Sequence, residues 1–192
     1  STPASDKEKQ TTSNDWPTYN RDAFRSAVTN QDISKTYSKV WEQKIAGTPT
    51  PCIAVDNQVF LGSTDEAIYA FDGINGNMTW KFQTTGAIQS APAYWNGRVY
   101  AGSDDGWIYA ISATDGKLLW KFHGGPSLRK HINFESLISP WPIRQGIVVE
   151  DGQIFITAGL IPGQEIYVYS IDAKTGSVNW KVPVGKTNII PC

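Results

Sequence analysis

The side chains that could support chemistry in this sequence are concentrated in one stretch, residues 123–145, which holds both histidines of the chain. Its cationic and aromatic members could contact a ligand or a partner; they are Arg129, Lys130, His131, Trp141 and Arg144. A metal site is disfavoured, because cations beside His131 oppose the charge of a metal and Glu135 is the only carboxylate in the stretch. Two interpretations stay open: a patch that contacts a partner, and a solvated loop that packs on itself.

Two acidic pairs, Asp65-Glu66 and Asp104-Asp105, fall where loops are expected. A calcium loop alternates its acidic ligands along the chain, and neither pair does so. We therefore expect both pairs to lie in solvated turns.

Motifs that mark common catalytic chemistries are missing from the sequence: haem attachment through Cys-x-x-Cys-His, a nucleophile elbow, a phosphate-binding loop and His-Glu-x-x-His. We accordingly predict no catalytic, cofactor-binding or metal-binding residue. The formal net charge of -1 provides no overall basic field, and no apolar run is long enough to span a bilayer. The expected partners therefore include neither nucleic acid nor a membrane span.

The elements that must position these loops come from an eleven-residue motif that occurs three times and ends at Trp80, Trp120 and Trp180. Each copy has the pattern of a strand, a glycine-containing turn and a strand, and two more short strands precede it. Together with Trp41, these three tryptophans are spaced 39, 40 and 60 residues apart. Four strands per unit at this spacing predict a β-propeller with a long insertion in its third unit.

At these residues the chain resembles the pyrroloquinoline-quinone-like (PQQ-like) family of β-propeller repeats, in which the Trp that ends the fourth strand docks on the neighbouring blade. Ser112 and Ser170 depart from the Ala-x-Asp opening of the family motif. The resemblance implies an all-β propeller of four-stranded antiparallel blades. The structural docking residues that it implies are Trp41, Trp80, Trp120 and Trp180, of which we expect the last three to be buried between blades.

The repeat predicts a disordered leader, a lead-in that packs on the propeller, and a partial propeller of about three blades. These parts correspond to residues 1–14, 15–40 and 41–192, with blades at about 41–82, 83–122 and 123–182 and the start of a fourth blade at 183–192. In the lead-in, Trp16, Tyr19 and Phe24 have loose helical spacing. We expect either a short helix or a loop that caps the sheet edge.

Three blades and a fragment are fewer than the four to eight that close a propeller. We therefore expect a segment of a longer propeller, or a chain that completes its ring as a homo-oligomer or by recruiting another chain. Cys52 and Cys192 are not expected to pair with each other, because equivalent first strands three blades apart exceed the roughly 7 Å Cα limit for a disulfide. Pairing of Cys192 with another chain stays open.

Successive strands of a meander alternate in direction, so its turns segregate onto two faces. The tight turns share one face, and the opposite face, called the elaborated face below, receives the 123–145 insertion and the 160–165 loop. Loops on a rigid scaffold commonly carry binding residues. We expect this face to be the functional one, and deletion of its long loop to leave folding largely intact.

The family resemblance implies an exported bacterial protein that is periplasmic, outer-membrane-associated or secreted. We expect a non-catalytic binding or scaffold module for a protein or polymer partner, without a cofactor. The alternative is part of a quinone- or cytochrome-linked dehydrogenase whose cofactor residues lie outside this chain. For such enzymes the resemblance implies PQQ, calcium and a disulfide between adjacent cysteines, and this sequence has no adjacent cysteine pair.

Overall fold

Three four-stranded antiparallel sheets, with one separate two-stranded hairpin, make up the regular structure of the computed structural model. The structure describes residues 11–12, 15–29, 36–133, 136–160 and 163–186. The prediction of an all-β fold built from four-stranded antiparallel blades is confirmed. The described residues contain no helix that could cross a membrane.

The strands pair in chain order within each blade. Blade one contains β1 (Ile53–Val55), β2 (Gln58–Ser63), β3 (Ala67–Asp72) and β4 (Met78–Gln83). Blade two contains β5 (Ala93–Trp95), β6 (Arg98–Gly102), β7 (Trp107–Ser112) and β8 (Leu118–His123). The hairpin follows as β9 (His131–Asn133) and β10 (Ser136–Ile138). Blade three contains β11 (Val148–Glu150), β12 (Gln153–Ala158), β13 (Glu165–Asp172) and β14 (Val178–Lys186).

The turn between the first two strands of each blade has positive φ at both of its residues. This is the type I′ geometry that matches the twist of a two-residue hairpin. The residues are Asp56 and Asn57 (φ 51° and 59°), Asn96 and Gly97 (46° and 75°), and Asp151 and Gly152 (47° and 72°). Asp, Asn and Gly tolerate this left-handed region best, which explains why the sequence signal for these turns is clear.

Three tryptophans each lie against a glycine in the last turn of the blade that follows; Trp80 and Trp120 lie in the last strands of blades one and two, and Trp41 precedes blade one. The pairs are Trp41 with Gly76, Trp80 with Gly116, and Trp120 with Gly176. A Cβ added to these glycines would lie 2.6, 2.8 and 2.7 Å from the nearest ring atom. The indole N–H donates to a carbonyl of the same turn at 2.9, 2.9 and 3.2 Å. One contact geometry therefore recurs at three successive junctions.

Blade three exposes the face that the first two blades bury. Phe60 and Ile68 of blade one are fully buried against blade two, and their counterparts Phe155 and Val168 are only half-buried. Trp180 is 42% exposed. The expectation that Trp180 is buried between blades is wrong for this chain, because no blade among the described residues lies beyond blade three to supply a turn glycine.

The lead-in is a loop that crosses the first strands of the blades. Trp16 forms an antiparallel bridge with Ala54 of β1, and the carbonyl of Pro17 accepts a hydrogen bond from the Tyr94 N–H of β5 at 2.7 Å. Of the two expected forms, residues 15–29 show the loop over the sheet edge and not the helix.

Replacing Gly116 by Ala should lower the free energy of unfolding by about 2–4 kcal/mol. The new methyl group would clash with the Trp80 ring, in addition to the cost of about 1–2 kcal/mol for an L-residue in the left-handed region. Gly97→Ala is the matched control, because Gly97 has a similar φ of 75° but no atom within 4 Å of the added Cβ. Urea unfolding followed by tryptophan fluorescence measures both; equal losses would mean that the ring contact contributes nothing.

Candidate functional site

The elaborated face departs from the repeat in the connection between blades two and three. Ile88 and Ile143 are equivalent: their N–H groups donate to the carbonyls of Ser63 and Ser103, each at 3.1 Å. Each side chain also covers a glycine of the preceding blade, so that a Cβ there would lie 2.2 or 2.4 Å from the isoleucine.

Comparing the connection between blades one and two with that between blades two and three gives the bounds of the insertion. The N–H groups of Thr84 and Gly124 are also equivalent, since they donate to the carbonyls of Glu66 and Gly106. Between the equivalent residues lie three residues, 85–87, in the first connection and eighteen, 125–142, in the second. The insertion is therefore shorter than the stretch 123–145 that the sequence indicated.

Arg144 binds a buried carboxylate of blade two. Its Nε donates to Oδ1 of Asp104 at 2.6 Å and its Nη2 donates to Oδ2 at 2.9 Å. Asp104 is only 3% exposed, and Gln89 donates to its Oδ2 at 3.2 Å. Of the candidate contact residues, Arg144 thus holds the inserted segment onto the blade.

The expectation that Asp104 and Asp105 form a solvated turn is wrong. Asp105 is 2% exposed, and its Oδ2 accepts hydrogen bonds from the hydroxyls of Tyr109 at 2.5 Å and Thr85 at 2.8 Å. Burial, together with the bond to Asp105, raises the pKa of the Tyr109 hydroxyl. Hydrogen bonds compensate these carboxylates for the loss of water, as buried charge requires.

In blade one, Asp65 is half-buried and Glu66 is exposed. Asp65 accepts hydrogen bonds from the Tyr69 hydroxyl at 2.5 Å and from Nζ of Lys81 at 3.3 Å. Burial acts to raise the pKa of Asp65, but hydrogen bonds from Tyr69, Ser63 and Lys81 outweigh it and lower that pKa.

Trp141 is a buried packing residue within the insertion. It is 3% exposed, its indole N–H donates to the Glu165 carbonyl at 3.1 Å, and it belongs to the core cluster between blades two and three. Ile138, Ser139 and Ile143 around it are equally buried. The expectation that the whole loop can be deleted therefore needs correction, because Ile138, Trp141, Ile143 and Ile147 are buried.

The structure brings the remaining candidates together at the base of this hairpin. Arg129, Lys130 and His131 line a cavity of about 290 Å³ with Pro140 and Gln164. A second cavity of about 410 Å³ shares Arg129 and Gln164 and is also lined by Pro126, Ser127, Trp141, Gly163, Glu165 and Tyr167. The guanidinium of Arg129 lies 5.9 Å from the Trp141 ring centroid, while its Nε donates to Ser127 Oγ at 3.2 Å.

Apolar side chains on the hairpin were missed by the sequence reasoning. Leu128, Ile132 and Leu137 are 69%, 79% and 57% exposed. Their apolar character was visible in the sequence, but nothing in it assigned them to a hairpin that projects from the core. Exposed apolar groups beside cations are typical of surfaces that contact a partner.

The described residues contain no group of three or more His, Cys, Asp or Glu side chains that could hold a metal ion. Cys52 is exposed and free, and no cysteine adjoins it. Glu135, Cys192, residues 1–10 and 13–14 of the predicted 1–14 leader, and residues 187–192 of the predicted fourth blade lie outside the described residues.

The fold of this chain is similar to part of the propeller in several larger proteins of known structure. Quinohemoprotein alcohol dehydrogenase from Comamonas testosteroni is 24% identical with a TM-score of 0.68, covering 88% of this chain and 27% of that one. Quinohemoprotein alcohol dehydrogenase ADHIIG from Pseudomonas putida HK5 is 21% identical with a TM-score of 0.74, covering 93% and 27%. BamB from Moraxella catarrhalis is 16% identical with a TM-score of 0.50, covering 74% and 51%. The chain thus spans about a quarter of the dehydrogenases and about half of BamB.

The sequence comparisons give one family. The profile described as outer membrane protein assembly factor BamB matches residues 31–189. No curated protein sequence matches the chain.

Replacing residues 127–137 by a short Gly-Ser linker should change the melting temperature by no more than about 3 °C, because the hairpin contributes little to the core. The control within the same insertion is Trp141→Ala, which should cost about 3–5 kcal/mol through the cavity that it leaves. Differential scanning calorimetry of both variants measures this contrast. Unfolding of the linker variant, or an unaffected Trp141→Ala variant, would contradict the division of the insertion.

Proposed function

Because the chain belongs to the PQQ-like repeat family described as outer membrane protein assembly factor BamB, we propose that it is a non-catalytic binding or scaffold module. Its partner is a protein or polymer held on the elaborated face. The observation that carries this proposal is the exposure of Leu128, Ile132 and Leu137, which lie on or next to the β9–β10 hairpin, near the cations that line one cavity.

The construction of this face supports the proposal. Trp141, Ile143 and Ile147 pack with blades two and three in a buried scaffold, while Leu128, Ile132 and Leu137 are exposed. Because the base is rigid, only the exposed side chains next to it lose conformational entropy when a partner binds, which limits the entropic cost of binding. The family description supports a periplasmic, outer-membrane-associated or secreted location in a bacterium.

The exposed face of blade three supports a second part of the proposal. Trp180, Val182 and Val184 present an apolar row that the other blades cover with a neighbour. A further blade, from a longer propeller, a second copy or another chain, covers this row in the working protein.

The alternative function is part of a quinone- or cytochrome-linked dehydrogenase. Its support is the structural similarity to quinohemoprotein dehydrogenases, of which the chain spans 27%. In this alternative the cofactor residues lie outside this chain.

Adding PQQ and calcium to the purified protein tests whether this chain itself binds the cofactor of the alternative function. We expect no quinone absorbance to remain with the protein after gel filtration, because the described residues provide neither a calcium cluster nor adjacent cysteines. A stoichiometric bound chromophore would overturn the scaffold proposal and favour the dehydrogenase.

A further inference from the structure

We propose that the hairpin cavity binds an acidic segment of a protein partner, with carboxylates opposite Arg129, Lys130 and His131 and an apolar side chain against the exposed leucines. This inference rests on the proposed function and specifies the chemistry of the partner. It follows from the charge, the orientation and the surroundings of the cavity.

The charge of the cavity differs from that of the chain. The whole chain has a formal net charge of -1, whereas the described residues that line the cavity include three basic side chains and no carboxylate. Several cations elsewhere form ion pairs: Lys81 with Asp65, Lys117 with Asp115 and Arg144 with Asp104. Within the described residues, Arg129 and Lys130 have no ion pair, so their charge is available to a partner.

The orientation of Arg129 prepares it for a carboxylate. Its guanidinium lies over the Trp141 ring, and its Nε is engaged by Ser127. Trp141 is itself fixed by burial and by its bond to the Glu165 carbonyl. A guanidinium held in this way loses less freedom on binding, and its remaining N–H groups match the two oxygens of a carboxylate.

The surroundings favour a polypeptide over nucleic acid. The neighbouring cavity is lined by Glu165, whose carboxylate accepts a hydrogen bond from the Tyr167 hydroxyl at 2.6 Å. The phosphates of a nucleic-acid backbone would be repelled by the Glu165 carboxylate. A peptide avoids this repulsion where its carboxylates are spaced so that none lies beside Glu165. Leu128, Ile132 and Leu137 also offer apolar contact that a phosphate backbone does not use.

Fluorescence anisotropy with two labelled synthetic peptides tests this inference on the full chain. One peptide combines Glu, Leu and Ser; the other replaces each Glu by Gln. We expect the Glu peptide to bind at least about tenfold more tightly than the Gln peptide, and its binding to weaken as salt rises.

The variants are Arg129→Glu with Lys130→Glu, and the matched control Lys117→Glu with Lys174→Glu in turns of the opposite face. Both pairs change the net charge equally. We expect the hairpin pair to bind the Glu peptide at least about tenfold more weakly, and the control pair to stay within about twofold. Circular dichroism checks that both double variants are folded. If the Arg129→Glu, Lys130→Glu variant does not fold, the single variant Lys130→Gln is tested in its place.

Three outcomes would overturn the inference: Glu and Gln peptides that bind equally or not at all, a control pair as impaired as the hairpin pair, or tighter binding of a single-stranded oligonucleotide at the same residues. None of these outcomes bears on the quinone titration. Failure of the acidic-partner inference is therefore distinguishable from failure of the proposed function.

Discussion

Packing of an indole ring against a turn glycine is the contact on which the rest of this structure depends. Glycine is needed at this position for two reasons. Its φ is positive, and the space that a side chain would occupy is filled by the indole ring. The indole N–H finds a carbonyl in the same turn, so the large apolar ring is buried without losing a hydrogen bond. Each junction is thereby fixed by two residues at constant spacing.

This fixed junction explains how the chain can carry a long insertion. Because blades two and three are held together elsewhere, the connection between them does not have to define their geometry. Ile143 keeps the position that Ile88 has in the regular connection, and Arg144 pairs with buried Asp104. The additional residues are partly absorbed into the core, through Trp141, and partly displayed as the hairpin.

The blades could be predicted from the sequence because their signals are local. A glycine in a turn, a β-rich run and a tryptophan at constant spacing are each determined by a few neighbouring residues. The pairing of Arg144 with Asp104 could not be predicted in this way, since it joins residues 40 positions apart and depends on the path of the insertion.

Other predictions failed because burial depends on neighbours in space. Trp141 resembles a surface aromatic in a loop, yet the structure places it in the core. Trp180 carries the same motif as Trp80, yet it is exposed, because a docking residue is buried only where another blade meets it. The hairpin at residues 131–138 has short strands that a propeller period does not indicate.

Native-state hydrogen exchange tests most directly the division of the connection between blades two and three into an anchored segment and a displayed hairpin. The N–H groups of Ser139 and Ile143 donate to carbonyls of Asp104 and Ser103, at 2.8 and 3.1 Å. They should exchange as slowly as the amides of β6, while amides of residues 128–132 should exchange at least about 100-fold faster, as local opening requires. Exchange at Ser139 and Ile143 as fast as in the hairpin would contradict this division.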